Sequence, residues 1–402
     1  MKKYTYKARD KANSQVVESM VQADSESGAA KVLIQQGLMP LSIKEFDESG
    51  SFLKRFSGRI TNKDKIVFMR QLATLIGAGL PLAQSMRTVV EQTQNKQMQQ
   101  VIEEIIADIE GGHTLSDSFA KHPQVFDKIV LALVAAGEAS GTLDDALKRV
   151  SAQKEKDAAM MGKIRGAMVY PAIVMLVILA VMIFMLVAVV PQVAGLYKDM
   201  HKALPFLTQI MIAAADFIIN FWYIVIIVLA IAAYFTAQYF RTDNGIKVKD
   251  TVKLNIPMFK GMFRKLYMAR FTRTGQTLLA TGVAMLDMLR ISSEGTNNVI
   301  VAKSIDRAAD KVKGGKALSV ALLSEDYILP MVPQMIKIGE QSGKIDEMMG
   351  KTAQVFEDEL DEEIKAISTS IEPILMVFLA VFAGGMVGAI LFPIYSLVGN
   401  IK

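Results

Sequence analysis

The densest groupings of residues able to do chemistry are two five-residue segments, Gly137-Glu138-Ala139-Ser140-Gly141 and Gly339-Glu340-Gln341-Ser342-Gly343. The second runs on into Lys344-Ile345, and glycines beside a lysine raise the question of a phosphate-binding loop. Such a loop needs four residues between its glycines and a hydroxyl after its lysine to reach magnesium. Here three residues separate Gly339 from Gly343, Ile345 replaces the hydroxyl, and the first segment has Thr142 where Lys344 stands. The pattern therefore predicts a helix–turn–helix corner, in which Gly141 or Gly343 stops one helix and the next begins at once. Thr142 and Asp145 form a capping-box-like pair in the first corner. Glu138 and Glu340 then read as capping or solvated carboxylates. The sharper alternative is a divalent-cation ligand or a charged contact between bundles, with Asp144 or Asp346 nearby. One Glu and one Asp supply too few oxygens for calcium on their own.

Other chemistry is poorly provided for. The 402 residues contain no cysteine, which removes disulfides, thiolate catalysis and cysteine metal sites. His113, His122 and His201 are scattered without partners at ligand spacing. No Ser-His-Asp set or carboxylate pair stands out, and the basic residues lack the interleaved aromatics of a nucleic-acid surface. The expectation is a protein that is not an enzyme, with no cofactor and no nucleic-acid partner.

What positions the two corners is a duplication. Phe68, Arg70, Leu75 and Gly79 recur as Phe271, Arg273, Leu278 and Gly282, and Gly111-Gly112 as Gly314-Gly315, all at an offset of 203. The corners themselves, Pro171 and Pro373, and Pro191 and Pro393 recur at 202, so one single-residue gap aligns the two halves. Each copy reads as several amphipathic helices: Ile66, Met69, Leu72 and Ile76 share one face, and Gly79-Leu80-Pro81 ends one helix and starts the next. A long helix from about Leu143 runs on through a basic stretch into the membrane.

Three apolar runs read as membrane spans. Ala172 to Val190 carries no charge and, as a helix, covers roughly 29 Å. Phe217 to Phe235 is interrupted only by Asn220, and Ile374 to Leu391 continues through Pro393 towards Val398. Lys and Arg crowd the segment before the first run and the segment after the second, whereas the short connection between them holds only Lys198 and Lys202. Both long segments are therefore expected on the cytoplasmic side, with the N-terminus cytoplasmic and the C-terminus outside. No cleavable leader is visible. The acidic run Glu357 to Glu363 and the bases around Lys247–Arg273 read as solvated helix faces, part of the latter meeting anionic lipid.

The expected fold is thus mainly α: a membrane protein with two repeated cytoplasmic six-helix-type bundles, three transmembrane helices and a small N-terminal α/β segment. The segment occupies 1–46, with strands at Tyr4–Ala8, Val16–Val21 and Leu41–Ile43 and a helix from Ser25 to Gln36. A linker follows at 47–62, the first bundle at 63–170 and a span at 171–193. Then come an external connection at 194–216, a second span at 217–239, a basic connection at 240–265, the second bundle at 266–372 and a third span at 373–398.

The paired Gly-Glu-x-Ser-Gly corners, the run Lys163-Ile164-Arg165-Gly166-Ala167-Met168-Val169-Tyr170-Pro171 and the two-repeat, three-span layout resemble the type II secretion F / type IV pilus platform family. The opening Tyr-x-Tyr-x-Ala-x-Asp and Gln36-Gly37-Leu38-Met39-Pro40 are similar to that family's N-terminal segment, while Glu372-Pro373 replaces Tyr-Pro in the second copy. The resemblance implies an inner-membrane platform that couples a cytoplasmic hexameric ATPase to extraction of pilin or pseudopilin subunits. It also implies further inner-membrane alignment components and self-association. A channel or transporter subunit is the alternative; it needs polar groups at midplane depth, and the first and third runs have almost none. Under the platform reading Glu372 is either a headgroup-level residue or a contact for a basic or N-terminal group of an incoming pilin. Pro171 and Pro373 are either helix ends or hinges. Gly384, Gly385 and Gly388 permit close helix approach, within the chain or to another helix.

Overall fold

Glycine stops set the rhythm of the helices. In the computed structural model, which describes residues 2–10, 16–23, 28, 30, 38–45, 59–189, 191–192, 195 and 206–398, the glycines with positive φ are Gly79, Gly112, Gly141, Gly282, Gly315 and Gly343. They form three pairs related by the duplication. At Gly141 (φ 72°, ψ 15°) the Thr142 N–H reaches back to the Gly137 carbonyl and the Gly141 N–H to that of Glu138, a Schellman turn that only a residue at ease in the left-handed region makes cheaply.

The chain divides into two compact units, Met1–Asp64 with Thr93–Val101 and Lys65–Gln92 with Ile102–Lys402. The first unit contains an antiparallel sheet of β1 (Lys2–Asp10), β2 (Val16–Ala23) and β3 (Leu38–Glu45) in the order β2-β1-β3. Tyr6 pairs with Ser19 on one side and Ile43 on the other, and a register irregularity falls at Lys7/Ala8. The strands are longer than the alternation predicts. The helix expected at Ser25–Gln36 lies outside the described residues except for Gly28 and Ala30, which are helical, and most of the expected linker is also outside them.

The helices of the first copy are α1 (Asn62–Gly77), α2 (Leu82–Gln92), α3 (Lys96–Glu110), α4 (Leu115–Ala120), α5 (Lys128–Ser140) and α6 (Leu143–Phe184), the last continued by a π-helical turn at Met185–Val189. α7 (Phe206–Tyr239) and α8 (Asp243–Asn255) lead to the second copy: α9 (Lys260–Ala280), α10 (Met285–Gly295), α11 (Val299–Lys313), α12 (Leu318–Leu323), α13 (Met331–Ser342) and α14 (Ile345–Val398). α2, α3 and α4 match α10, α11 and α12 at an offset of 203, whereas α6 and α14 start 202 apart. The missing residue falls at the fifth helix, where α5 has 13 residues and α13 has 12.

Each copy closes over its own core. In the first, Phe68, Leu72, Met86, Phe119, Phe126, Leu133 and Leu147 are buried, with the Phe119 and Phe126 rings stacked 3.9 Å apart. In the second, Met268, Phe271, Met288, Ile305, Leu322, Ile336 and Phe356 do the same. Each such side chain contributes about 2 kcal/mol by leaving water, which is why six short helices hold together.

Helices long and apolar enough to cross a membrane lie within Leu143–Val189, Ala215–Tyr239 and Ile345–Gly385. Of the alternatives open at the prolines, helix ends are ruled out: α6 runs for 42 residues through Pro171 and α14 for 54 through Pro373. Each proline forfeits one backbone hydrogen bond, a loss that membrane helices accommodate by local adjustment. The stretches at 194–216 and 240–265 are also not plain connections. α7 already begins at Phe206 and bends at Phe221 (φ −123°, ψ 21°), and α8 fills much of the basic segment.

Candidate functional site: the corners and the seam between copies

The geometry accounts for the Gly-Glu-x-Ser-Gly motif residue by residue. Its first glycine allows close approach: a Cβ on Gly137 would lie 2.5 Å from the Ala146 Cβ, and one on Gly339 would lie 2.7 Å from the Ile345 Cα. Its glutamate caps a neighbouring helix. The Glu138 carboxylate accepts from the Leu115 N–H (2.5 Å) and the Ser116 N–H (2.9 Å) at the start of α4. Glu340 accepts from the Ser319 N–H (3.2 Å) and hydroxyl (2.5 Å) at α12. A carboxylate there satisfies orphan donors and meets the positive end of the helix. The serine donates back to the carbonyl four residues earlier, Ser140 to Ala136 and Ser342 to Ile338, both 2.8 Å. The last glycine supplies the left-handed turn.

The capping-box expectation fails. Thr142 (φ −111°, ψ 44°) makes no side-chain cap, because it also closes the turn of the helix before it, and its hydroxyl lies 2.7 Å from the Ser140 hydroxyl instead. Asp144 sits in the first turn of α6. Among the described residues no group of three or more His, Asp or Glu is placed to hold a metal ion. Glu372 and Pro373 are exposed on α14. Among the described residues, Gly384, Gly385 and Gly388 have no heavy atom within 4 Å of a Cβ position, so that face of α14 is open to them.

Sequence reasoning missed the seam where the copies meet. α6 packs along α14 and against α9. Arg273 of α9 grips Glu357 with two hydrogen bonds of 2.8 Å, and Lys156 of α6 joins the same carboxylate at 3.3 Å. Lys163 pairs with Asp361, Arg270 with Asp157 at 2.6 Å, and Lys128 with Glu294 at 2.7 Å. Gln153 donates to the Thr274 hydroxyl at 2.8 Å. The acidic run expected to be solvated is thus partly an interface: the Glu357 side chain is only 12% exposed. Lys265 bridges Glu359 and Glu363; burial alone would lower its pKa, but hydrogen bonds to those two carboxylates raise it. A cavity of about 420 Å³ opens at the seam, floored by Phe126, Ile129, Met160 and Ile291 and edged by Lys154 and Arg270. The signal for the seam was the opposite charge of the α6 and α14 stretches, which sequence alone does not pair.

A duplicated α-helical bundle, each copy continuous with a membrane-length helix and the two locked together by ion pairs, defines a membrane-anchored scaffold class. The profile described as "Type II secretion system (T2SS), protein F" matches residues 68–191 and again 271–393, and its N-terminal-domain counterpart matches residues 1–44. The chain belongs to this family. Among its relatives, the type IV pilus assembly protein PilC of Thermus thermophilus is 35% identical, with 99% of both chains covered. PilC of Pseudomonas aeruginosa is 35% identical over 92% of this chain and 98% of its own. The type II secretion system protein F of Xanthomonas campestris is 31% identical over 99% of each.

Proposed function

We propose that the chain is the inner-membrane assembly platform of a type IV pilus, or of the corresponding type II secretion machine, coupling a cytoplasmic hexameric ATPase to the extraction and addition of pilin subunits. One observation carries the mechanical part of this reading. α6 and α14 run without a break from the bundles into the apolar segments, and their polar halves are tied by Lys156–Glu357 and Lys163–Asp361. A push on either bundle therefore moves two membrane helices together. The names of the relatives supply the machine.

The basic flanks of the first two apolar runs support a cytoplasmic side for both bundles and the N-terminus and an outer side for the C-terminus. The corner residues are occupied in holding backbone, which leaves them no part in bond-making; the role is transmission rather than catalysis. Gly384 and Gly388, on the open face of α14, are the positions offered to a pilin helix or a second copy. Glu372, exposed on the same helix about 18 Å nearer its start, offers a carboxylate to a basic or N-terminal group.

The test uses the cysteine-free background. Lys148→Cys and Lys303→Cys in intact cells should both resist membrane-impermeant maleimide and both label after the inner membrane is opened. Labelling of one but not the other in intact cells would break the shared-side geometry. Co-purification of the full chain in detergent with a hexameric ATPase of the same cells' pilus or secretion machine, across nucleotide states, tests the partner; absence of binding in every state would remove the coupling role.

A further inference from the structure

α8 has two faces of different character. Its inward face, Asp250 and Leu254, is buried, and Asp250 accepts from the Val299 N–H at 3.0 Å, fastening α8 to the start of α11. Its outward face carries Val248, 45% exposed, and Val252, 46% exposed, with Ile256 continuing the stripe beyond the helix end. At 100° per residue Val248 and Val252 lie 40° apart, and Lys247 and Lys249 fall on opposite flanks of Val248. Lys247, Lys249, Arg241 and Lys260 are exposed, against one acid, Asp243, in the first turn.

The position of this stripe is fixed. Only residues 240–242 separate α8 from the end of α7. The Thr242 hydroxyl donates to the Tyr239 carbonyl (2.7 Å) and accepts from the Gly245 N–H (3.2 Å). A Cβ on Gly245 would lie 1.9 Å from the Tyr239 carbonyl oxygen, so α8 turns off the span with its first turn against the span's end. Tyr239 and Phe240 are exposed there, as aromatics at a membrane–water boundary are.

We propose that α8 is an in-plane membrane-surface helix, whose Val248–Val252–Ile256 stripe beds into the boundary of an anionic lipid leaflet while Lys247, Lys249, Arg241 and Lys260 meet the headgroups. A stripe this small binds weakly by itself, but the span holds it at the surface, so no association cost is added. Each headgroup-facing base adds electrostatic attraction to an anionic leaflet. The helix thereby sets the height of the second bundle, through Asp250 and α11, against the bilayer. This rests on α7 being a membrane span, and the experiment separates the two.

Full-length protein carrying a single Val248→Cys or Val252→Cys is labelled with NBD and placed in nanodiscs with or without phosphatidylglycerol. Ile227→Cys, in the middle of α7, and Lys303→Cys, on the second bundle, serve as references. In anionic discs the 248 and 252 labels should be quenched by lipids bearing a shallow nitroxide and be about threefold less sensitive to iodide than the label at 303. Lys247→Glu with Lys249→Glu should restore iodide sensitivity, as should omission of the anionic lipid. Iodide sensitivity at 248 and 252 equal to that at 303 overturns the proposal. So does protection from both quenchers, which would mean a protein covers the stripe. If the label at 227 escapes lipids bearing a nitroxide near the acyl-chain end, α7 is no span, and the proposal falls with that assignment rather than by its own failure.

Discussion

The two copies share their helices but not their charges. In the second, Glu325 is buried between Arg307, at 2.5 Å, and Lys311, at 2.7 Å. In the first, 203 residues earlier, Glu104 stands for Arg307 and Asp108 for Lys311, reversing both charges, and His122 stands for Glu325. His122 lies 3.5 Å from Glu104, and Lys121 takes Asp108 at 2.6 Å. The same inversion of context marks the pair that the duplication kept. Arg70–Glu155 in the first copy is 59% and 41% exposed, whereas its equivalent Arg273–Glu357 is 15% and 12% exposed because the first copy covers it. Duplication preserved the backbone plan; what diverged is the use of each face.

The largest effect that tests this is at the stacked rings. Phe119→Ala should cost about 3–5 kcal/mol, read as earlier unfolding of the first bundle by hydrogen exchange, and Leu322→Ala at the matching position should cost less. Equal losses would mean that the aromatic cluster of the first copy has no special weight. Next comes the conserved pair. Glu357→Ala strips a covered arginine of its partner and should cost about 3 kcal/mol and loosen the contact between copies. Glu155→Ala, in the exposed pair, should cost under about 1 kcal/mol. If the two variants melt alike, the seam is not where the copies are held.

Acid sharpens the charge reversal. Burial would raise the pKa of Glu325, but hydrogen bonds from Lys311 and Arg307 hold it below its ordinary 4.5. A carboxylate depressed in the folded state stabilises above its unfolded pKa and loses that contribution as pH falls through the folded one. The second bundle of the wild type should therefore weaken below pH 4.5, and Glu325→Gln should flatten that loss, measured by proteolysis of the second bundle against pH. An unchanged acid profile in the variant would deny the cluster its role. The smallest effect is at the second corner. Lys344→Thr, which copies the first corner, should change stability by under about 0.5 kcal/mol, since the Lys344–Glu347 pair is solvent-exposed. A large loss of assembly with unchanged stability would give Lys344 a task the corner geometry does not.

How much of this could be read beforehand follows from the range of the forces. Helix stops at Gly79, Gly112 and Gly141 and the repeat itself are local patterns, so they were legible. The corner was legible as a turn, but the target of Glu138 was not, because its partner N–H groups lie over 20 residues away at Leu115 and Ser116. Thr142 misled because one residue serves two helices, and the turn it leaves took priority over the one it enters. Pro171 and Pro373 stayed undecided between helix ends and hinges because a proline's cost depends on what surrounds the freed carbonyl, which no local pattern records. The seam was illegible for a related reason: Lys156 and Glu357 are each ordinary helix-surface charges until the copies meet.

The unbroken course of α14 has a geometric consequence. A helix of 54 residues is roughly 81 Å long, with its start at the Gly343 turn in the second bundle and its far end at the close of the apolar run. If it pivots near that start, a tilt of about 5° carries the far end through an arc of about 7 Å, well over the width of a methyl group and close to the spacing between packed helices. Motions too small to disturb the bundle's own packing are in this way large enough at the other end to open or close room for one more helix.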